Sequence, residues 1–313
     1  MTSGIQAAIS LQGLTKSFPG VRAVDDLSFD VTAGEIFGLV GPDGAGKTTT
    51  LRMLAGVLAP DAGTAVVAGY DVARDPESVK RHISYMPQRF GLYEDLTVDE
   101  NIRFYADLFG LSAVQREQHA VRLLAAAGMG EFRKRLAGKL SGGMKQKLGL
   151  VCALVHRPEV ILLDEPTTGV DPVSRRDFWR ILYSLLAEGV AILTSTAYLD
   201  EAERCHRVAL LHQGRLLFCD TPQELKGRLR GAVLAVRSAE PRAVRDRLQG
   251  APGISSLVMT GDGVHLVVDD AVRRAPELRA QLAGSGTAFE SIAQVAPSIE
   301  DLFVNTVSGG RAQ

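Results

Sequence analysis

The segment from Gly41 to Thr48 combines closely spaced glycines with a lysine and a threonine, a set of residues suited to binding phosphate. It follows the apolar run Ile36–Val40 and precedes Thr49–Val57, so the sequence predicts a strand, a loop and a helix in that order. Glycines let the backbone fold closely around a phosphate and point successive N–H groups at it, which side chains would obstruct. We therefore predict a phosphate-binding loop at a helix N-terminus, whose partial positive charge also favours anions.

Two side chains of this loop are expected to have specific roles. Lys47 is expected to place a positive charge at the β- and γ-phosphates of a nucleotide, and the Thr48 hydroxyl is expected to bind magnesium. Asp43 is unusual because it places negative charge beside a bound phosphate; it either points outward or tunes nucleotide binding. The predicted nucleotide-contacting positions of the loop are Gly41, Asp43, Gly44, Ala45, Gly46, Lys47, Thr48 and Thr49.

Two adjacent carboxylates, Asp164 and Glu165, follow the uniformly apolar run Val160–Leu163. Such a run is typical of a strand buried on both faces, and the carboxyl ends of strands border the crevice where α/β sheets bind ligands. Neighbouring side chains on a strand diverge, so we predict separate roles, with Asp164 in the magnesium shell and Glu165 as the catalytic base for the attacking water. A solvated strand end is the alternative.

The composition argues against several other classes of protein. The 313 residues carry 35 basic and 36 acidic side chains, and a net charge of −1 does not indicate a nucleic-acid partner. The three cysteines match neither a zinc site nor a disulfide framework and are expected to be ordinary buried thiols in a reducing cytosol. Met1–Ser10 lacks the pattern of a secretion signal, and no apolar run is long enough to span a membrane. If the protein works at a membrane, another chain is therefore expected to supply the spanning part.

The order of apolar runs predicts an α/β domain first. From Ile9 to Leu229, short apolar runs alternate with helical patterns, as expected for strands joined by crossover helices. Helical periodicity dominates residues 98–156, with helices predicted at Asn101–Phe109 and Ala113–Ala127. We therefore predict a first domain at 1–230 with a helical subdomain inserted at about 98–156.

A second, smaller domain is predicted at 231–313, after the basic, glycine-punctuated segment that ends at Gly231. Its predicted elements are, in order, strand Val233–Arg237, helix Pro241–Leu248, strands Leu257–Thr260 and Val264–Val268, helix Pro276–Leu282, strand Ser291–Val295 and helix Ser298–Thr306. This order is the ferredoxin-like α+β arrangement with a trailing helix. It contains no catalytic constellation, so we expect an accessory domain that stabilises a dimer or regulates it.

The segment Leu140–Gln146 resembles the signature motif of ATP-binding-cassette (ABC) proteins, which ordinary P-loop kinases and GTPases lack. Its Ser141 can cap the following helix, and Gly142 and Gly143 let the helix N-terminus approach a γ-phosphate. In this family the motif completes the nucleotide site of a second cassette packed head to tail. The resemblance therefore implies a dimer with two composite sites.

Other segments resemble this family's motifs in the family's order. Gln88, at the end of Tyr85–Gln88, resembles the glutamine that touches magnesium and senses the membrane subunit. Gly169–Asp171 resembles the loop that crosses the dimer interface, and Phe18 resembles the adenine-stacking aromatic residue. An exposed polar role for Gln88 and a core position for Phe18 are the alternatives. The nucleotide contacts that the resemblance adds are Phe18, Gln88, Ser141, Gly142, Gly143 and Asp171, and the magnesium ligands it implies are Thr48, Gln88 and Asp164.

The resemblance covers about Ile9 to Lys226 and implies a P-loop NTPase fold of the ABC cassette type. Such a cassette has an α/β core, an antiparallel β-subdomain and an inserted helical subdomain, and it binds ATP and Mg²⁺. The ferredoxin-like domain would be appended at its C-terminal end.

Three segments narrow the resemblance further. Gly41–Lys47, Phe90–Thr97 and Ser195–Glu201 resemble the first half of bacterial two-cassette drug-export ATPases, which pair with ABC-2 type membrane permeases. This implies an ATP-hydrolysing motor subunit of a bacterial exporter of drugs or other small molecules, cytoplasmic and peripheral on the inner face of the cell membrane. A single cassette is present here, so the second would be a separate chain.

Ala197 occupies the position where the family normally carries a histidine that contacts the γ-phosphate, and the run Tyr198–Glu203 fixes this alignment. Losing one well-aimed transition-state donor costs about 3 kcal/mol, or about a hundred- to thousandfold in rate. Either Glu165 alone sustains hydrolysis, which would be slow in isolation, or the chain is the histidine-lacking member of an asymmetric pair. In that pair, Ser141–Met144 would complete the partner's fully active site.

Two other functions compete with this interpretation. A cassette ATPase acting on chromosomes or ribosomes predicts a coiled-coil insertion or two cassettes in one chain, and this sequence has neither. A regulatory nucleotide-binding cassette with little or no turnover is the alternative that Ala197 supports. No histidine is an evident replacement at this position, since His206, the nearest, is expected on the surface of a helix at Leu199–Arg204.

Overall fold

The computed structural model describes residues 7–309. Contacts divide the chain into two compact units, one ending at Cys219 and the other beginning at Asp220. The outer ends of the two predicted domains, residues 1–6 and 310–313, lie outside the described residues, as does most of the segment Met1–Ser10. The predicted boundary at Gly231 falls within the second unit and stays a prediction. Across the described range, no helix has both the length and the apolar character needed to cross a bilayer.

An antiparallel sheet begins the first unit. In sheet order its strands are β2 (Val21–Thr32), β1 (Ala7–Phe18), β4 (Ala62–Val67) and β5 (Tyr70–Asp71). Strand β1 buries Ile9, Leu11 and Leu14, while most side chains between them are partly or fully exposed. This pattern is typical of an antiparallel sheet that packs on a core with one face.

A six-stranded sheet forms the centre of the first unit. In sheet order its strands are β10 (Arg215–Asp220), β9 (Arg207–His212), β3 (Ile36–Val40), β8 (Ala191–Thr196), β7 (Val160–Asp164) and β6 (Ile83–Met86). The pairings from β9 through β6 are all parallel, and every residue of β3, β7 and β8 is buried. The helices that accompany it are α1 (Lys47–Leu54), α2 (Pro76–His82), α6 (Pro172–Leu186) and α7 (Leu199–Ala202). The carboxyl ends of β3, β8 and β7 therefore lie side by side.

A helical segment is inserted between β6 and β7, as predicted. It contains α3 (Val98–Leu108), α4 (Ala113–Ala126) and α5 (Gly142–Leu154), with short 3₁₀ turns at Gly130–Phe132 and Ala137–Lys139. Helix α3 begins before the predicted Asn101 because Thr97 and Glu100 form a capping box, each side chain bonding the other residue's backbone N–H. Ser112 and Gln115 cap α4 in the same way, close to its predicted start.

The second unit begins with α8 (Pro222–Gly227) and continues with a four-stranded antiparallel sheet in the order β12-β13-β11-β14. Its elements are β11 (Ala232–Arg237), α9 (Pro241–Leu248), β12 (Ile254–Thr260), β13 (Gly263–Val268), α10 (Ala271–Gly284), β14 (Ser291–Val295) and α11 (Ile299–Gly309). The ferredoxin-like prediction is confirmed. The predicted start of α10 at Pro276 is wrong, because Asp270 caps the helix by accepting from Arg273 N–H at 3.0 Å, and Pro276 lies inside it.

Candidate functional site

The candidate site lies where β3, β8 and β7 end at the same edge of the central sheet. The parallel register places Val40 beside Thr196 and Asp164 beside Ser195. The glycine loop follows Val40, and Glu165 follows Asp164. The sheet therefore brings the predicted phosphate loop and the two predicted carboxylates together, although more than a hundred residues separate them in sequence.

Close packing explains why two loop positions must be glycine. Gly46 has a φ of +102°, and a Cβ there would lie 2.3 Å from the Ala23 carbonyl oxygen. A Cβ on Gly41 would lie 2.3 Å from the carbonyl oxygen of Leu211. The loop is thus pressed against β2 and β9 with no room for side chains at these two positions. The following helix spans Lys47–Leu54 and not the predicted Thr49–Val57, because Gly46 is its N-cap and the left-handed Gly56 (φ +64°) follows its end.

The Lys47 side chain lies at the centre of the site and is only 4 % exposed. Its Nζ donates to the carbonyl oxygens of Gly41 at 2.7 Å and Pro42 at 3.1 Å, and it lies 3.1 Å from Glu165 Oε1. Three oxygen atoms surround the ammonium, which compensates its burial. A fixed positive charge therefore stands between the loop and the carboxylate.

Asp164 is 2 % exposed and accepts three hydrogen bonds. Its Oδ1 accepts from Thr48 Oγ1 at 3.0 Å and from Ser195 Oγ at 2.8 Å, and its Oδ2 accepts from the Tyr85 hydroxyl at 3.4 Å. Burial, followed by the Asp164 charge, raises the pKa of Tyr85 above 10.0, so its hydroxyl stays a donor at neutral pH. The carboxylate and the Thr48 hydroxyl are the hard oxygen ligands that Mg²⁺ prefers.

Glu165 has different partners from Asp164, although the two are not neighbours on a strand, because β7 ends at Asp164. Its Oε1 pairs with Lys47, and its Oε2 accepts from Gln88 Nε2 at 3.2 Å. Its backbone has a φ of +48°, the left-handed region that non-glycine residues seldom occupy. The Glu165 N–H donates to Ser195 Oγ at 3.0 Å, which helps to hold this conformation.

Most of the predicted nucleotide contacts border one cavity of about 460 Å³, within the usual range of about 300–1,000 Å³ for small-molecule sites. The predicted residues that line it are Phe18, Asp43, Gly44, Ala45, Gly46, Lys47, Thr48, Thr49, Gln88 and Glu165. Phe18 is 44 % exposed and thus does not occupy the core position that was its alternative. Asp43 is exposed, as an outward orientation requires, and also borders the cavity.

The residues of the signature segment and of the segment at Asp171 do not line this cavity. Ser141 caps α5 as predicted, because its Oγ accepts from the Met144 N–H at 3.3 Å. Ser141 and Gly142 are exposed, whereas Gly143 is buried and a Cβ on it would lie 2.2 Å from Ser174 Oγ. Asp171 caps α6 and accepts from the Ser174 N–H at 2.9 Å. Within the described part of the chain nothing covers Ser141 and Gly142, so another molecule can contact this turn.

Ala197 is exposed and directly follows the buried end of β8, at the same sheet edge as the glycine loop. The prediction for His206 is wrong. Helix α7 ends at Ala202, and His206 lies at the opposite end of the sheet, where its Nδ1 accepts from the Ile36 N–H at 3.1 Å. From there its ring does not reach the sheet edge at which Ala197 lies.

The prediction that the cysteines are buried thiols is confirmed for Cys152 and Cys205 and wrong for Cys219, which is half-buried. Cys152 and Cys205 are buried and free, and burial raises the pKa of both thiols, so they are unreactive. The Cys219 Sγ accepts a long contact from Arg207 Nη2 at 3.7 Å.

Two residues of the site were not singled out from the sequence. Ser195 and Tyr85 both bond to Asp164 from neighbouring strands, Ser195 from β8 and Tyr85 from β6. A polar run, Thr194–Thr196, at the carboxyl end of an otherwise apolar strand is the signal that could have identified Ser195, because such ends border the ligand crevice.

A parallel α/β sheet with a glycine loop between β3 and α1, and with a carboxylate at the end of β7, defines a P-loop nucleotide-binding fold. The family described as ABC transporter matches residues 24–168. The chain is similar to the daunorubicin/doxorubicin resistance ATP-binding protein DrrA of Streptomyces peucetius, with 42% identity over 78% of this chain and 75% of the relative. The chain belongs to the ABC transporter family, as a member of its ATP-binding proteins.

Other relatives and a solved structure support the same family assignment. The probable multidrug ABC transporter ATP-binding protein YbhF of Escherichia coli (strain K12) is 45% identical over 97% of this chain, which spans only 52% of that relative's length. The Nod factor export ATP-binding protein I of Paraburkholderia xenovorans (strain LB400) is 41% identical over 85% of this chain and 88% of the relative. A structure described as the ATP binding subunit of an ABC transporter has a TM-score of 0.65 and 32% identity, covering 71% of this chain and 92% of that one.

Proposed function

We propose that this chain is the ATP-binding and ATP-hydrolysing motor subunit of a bacterial ABC exporter. The observation that carries the proposal is that Lys47, Thr48 and Glu165 border one cavity at the carboxyl edge of a parallel sheet, where Thr48 also bonds to Asp164. A buried cation, a hydroxyl–carboxylate pair and a second carboxylate are the groups that phosphoryl transfer to water requires.

Each side chain has a definite part in the proposed reaction. The backbone of the glycine loop and the Lys47 ammonium bind the phosphates of ATP, and Phe18 stacks on the adenine. Thr48, Asp164 and Gln88 would hold Mg²⁺, which supplies charge neutralisation at the phosphate oxygens when it is bound. Glu165 takes a proton from the attacking water. Among the described residues no cluster of three His, Cys, Asp or Glu side chains could hold a metal alone, which is consistent with a Mg²⁺ ion bound largely through substrate phosphates.

A second cassette is proposed to complete each site. The exposed Ser141 and Gly142, followed by Gly143 at the start of α5, would close over the γ-phosphate of the companion's nucleotide, and Asp171 would lie at the same interface. Closure of the two cassettes is the power stroke, and hydrolysis reopens them. The mostly exposed segment Arg89–Leu96 is proposed to receive a permease, and replacing it should uncouple transport while ATP affinity is retained.

The transport assignment rests on the relatives, whose names refer to multidrug export, daunorubicin/doxorubicin resistance and Nod factor export. We infer that this chain powers export of drugs or other small molecules through ABC-2 type permeases at the inner face of the cell membrane. Because Ala197 cannot donate a hydrogen bond, we infer an asymmetric pair in which the companion cassette carries the histidine and the Ser141 turn serves its site. The C-terminal ferredoxin-like unit is proposed as an accessory domain.

The test is an ATPase assay of this chain alone and mixed with candidate companion cassettes, using the wild type, Lys47→Ala and Ala197→His. An asymmetric motor predicts slow hydrolysis alone, faster hydrolysis with the right companion, and a gain for Ala197→His of the order of tenfold or more. Lys47→Ala should lose ATP binding at its own site. If no mixture hydrolyses ATP although the wild type binds it, the chain is the regulatory cassette named as the alternative.

A further inference from the structure

Ser195 is a buried residue near the end of β8 that contacts the carboxylate of Asp164 and the backbone N–H of Glu165. Its side chain is inaccessible to solvent, with 0 % relative exposure. Its Oγ lies 2.8 Å from Asp164 Oδ1 and 3.0 Å from the Glu165 backbone nitrogen. The Ser195 carbonyl oxygen also accepts from the same Glu165 N–H at 3.2 Å. One residue of β8 therefore holds the end of β7 at two consecutive positions.

The chemistry of a hydroxyl fixes the direction of these bonds. A hydroxyl has one proton and two lone pairs, and a backbone N–H can only donate. The Ser195 hydroxyl therefore accepts from the Glu165 N–H and donates its only proton to Asp164 Oδ1. Since Thr48 donates to the same Asp164 Oδ1 at 3.0 Å, this oxygen is held between two hydroxyls, one from the glycine loop and one from β8.

We propose that Ser195 is a positioning residue for the reaction, one that orients Asp164 toward the magnesium position and fixes the backbone from which Glu165 projects. This inference rests on the proposed function, because it assigns to Ser195 a role through residues proposed to bind Mg²⁺ and activate water. Groups that orient metal ligands in this way typically contribute about 10- to 100-fold in metal affinity.

The backbone of Glu165 supports the same role. Its φ of +48° is a conformation that costs about 1 kcal/mol or more for a residue with a side chain, so it needs support from its surroundings. The two oxygens of Ser195 supply that support on the N–H side. Without the hydroxyl, the carbonyl oxygen remains, so the strand end should loosen without unfolding.

The experiment measures Mg²⁺ binding by the full chain loaded with a fluorescent ATP analogue. The free Mg²⁺ concentration that half-saturates a fluorescent ATP analogue's response is compared for the wild type and Ser195→Ala, and analogue affinity is measured separately in EDTA. The half-saturating Mg²⁺ concentration should rise about tenfold or more in Ser195→Ala, while affinity in EDTA stays within about threefold, since Ser195 does not border the nucleotide cavity. Ser195→Thr, which restores a hydroxyl, should recover most of the loss.

Thr194→Val is the matched control. Thr194 is buried on the same strand and its hydroxyl bonds to neither carboxylate, so its Mg²⁺ response should stay that of the wild type. An unchanged Mg²⁺ response in Ser195→Ala, beside a lost response in Asp164→Asn, would overturn the role of Ser195 alone. Equal shifts in Ser195→Ala and Thr194→Val would also overturn it, because the cause would then be general loosening of β8. A wild type that binds no ATP would instead refute the proposed function, and this inference with it.

Discussion

Replacing Glu165 with glutamine separates nucleotide binding from hydrolysis. The carboxylate faces Lys47 Nζ at 3.1 Å, and the two side chains are 13% and 4% exposed. Glutamine keeps the shape and one side-chain oxygen but removes the charge and the proton acceptor. Loss of a general base typically costs about 10²- to 10⁴-fold in rate, whereas loss of one charge-assisted contact lowers the free energy of unfolding by about 1.5–3 kcal/mol. ATP affinity should be kept or improved, because Lys47 is no longer attracted to a competing anion.

The assay is phosphate release with a companion cassette whose own catalytic glutamate is replaced by glutamine, so that turnover depends on Glu165. ATP affinity and thermal unfolding of the variant are measured beside it. Glu159→Gln is the control, since Glu159 precedes β7 at the other end of the strand from the site and should leave hydrolysis unchanged. A Glu165→Gln variant that hydrolyses ATP within about threefold of the wild type would refute the assignment of Glu165 as the base. A variant that no longer binds ATP would refute the view that Glu165 opposes the phosphates at Lys47.

Two further perturbations follow from the contacts. Gly46→Ala should abolish ATP binding and lower the midpoint of denaturant unfolding, because its Cβ would lie 2.3 Å from the Ala23 carbonyl oxygen. Gly44→Ala meets no atom of the chain within 4 Å, so its unfolding free energy should fall only by the strain of its left-handed φ, about 1 kcal/mol. Equal falls in the unfolding midpoint of both variants would contradict this. The hydrogen bond from His265 to Asp301, opposed by partial burial, raises the pKa of His265 above 6.5. Its contribution to stability is therefore complete below about pH 6.5 and lost as pH rises through the raised pKa. Hydrogen exchange of β13 and α11 should report this loss, and His265→Gln should remove the pH dependence of that exchange. If the pH dependence remains in His265→Gln, another group causes it.

Local chemistry made the glycine loop and the strand-end carboxylates predictable from sequence. Lys47 and Asp164 are tied to their strands by short apolar runs, and parallel strands share one carboxyl edge. What the sequence did not reveal depends on register between distant strands. Ser195 meets Asp164 only because β7 and β8 pair in one register, and His206 pairs with Ile36 at the opposite end of the sheet.

The predicted first residues of two helices were wrong for a related reason. The predicted start of α10 used Pro276, whereas the side chain of Asp270 captures the first turn earlier in the chain. The first residue of α1 is set by Gly46, whose backbone packs against β2. The start of α10 is decided by the side chain that satisfies a free N–H group of its first turn, whereas α1 begins at a glycine with no side-chain cap. Apolar periodicity reports neither feature.

In the proposed dimer, a triphosphate held by the glycine loop of one cassette is sealed by the Ser141 turn of another. The most direct measurement uses an ATP analogue with a photoreactive group on its γ-phosphate. A Lys47→Ala chain, which should hold no nucleotide itself, is mixed with a companion cassette whose loop is intact, and the labelled peptides are identified by mass spectrometry. Labelling of Ser141–Met144 on the Lys47→Ala chain is the predicted result. Labelling confined to the companion's own turn, with none on the Lys47→Ala chain, would contradict the account.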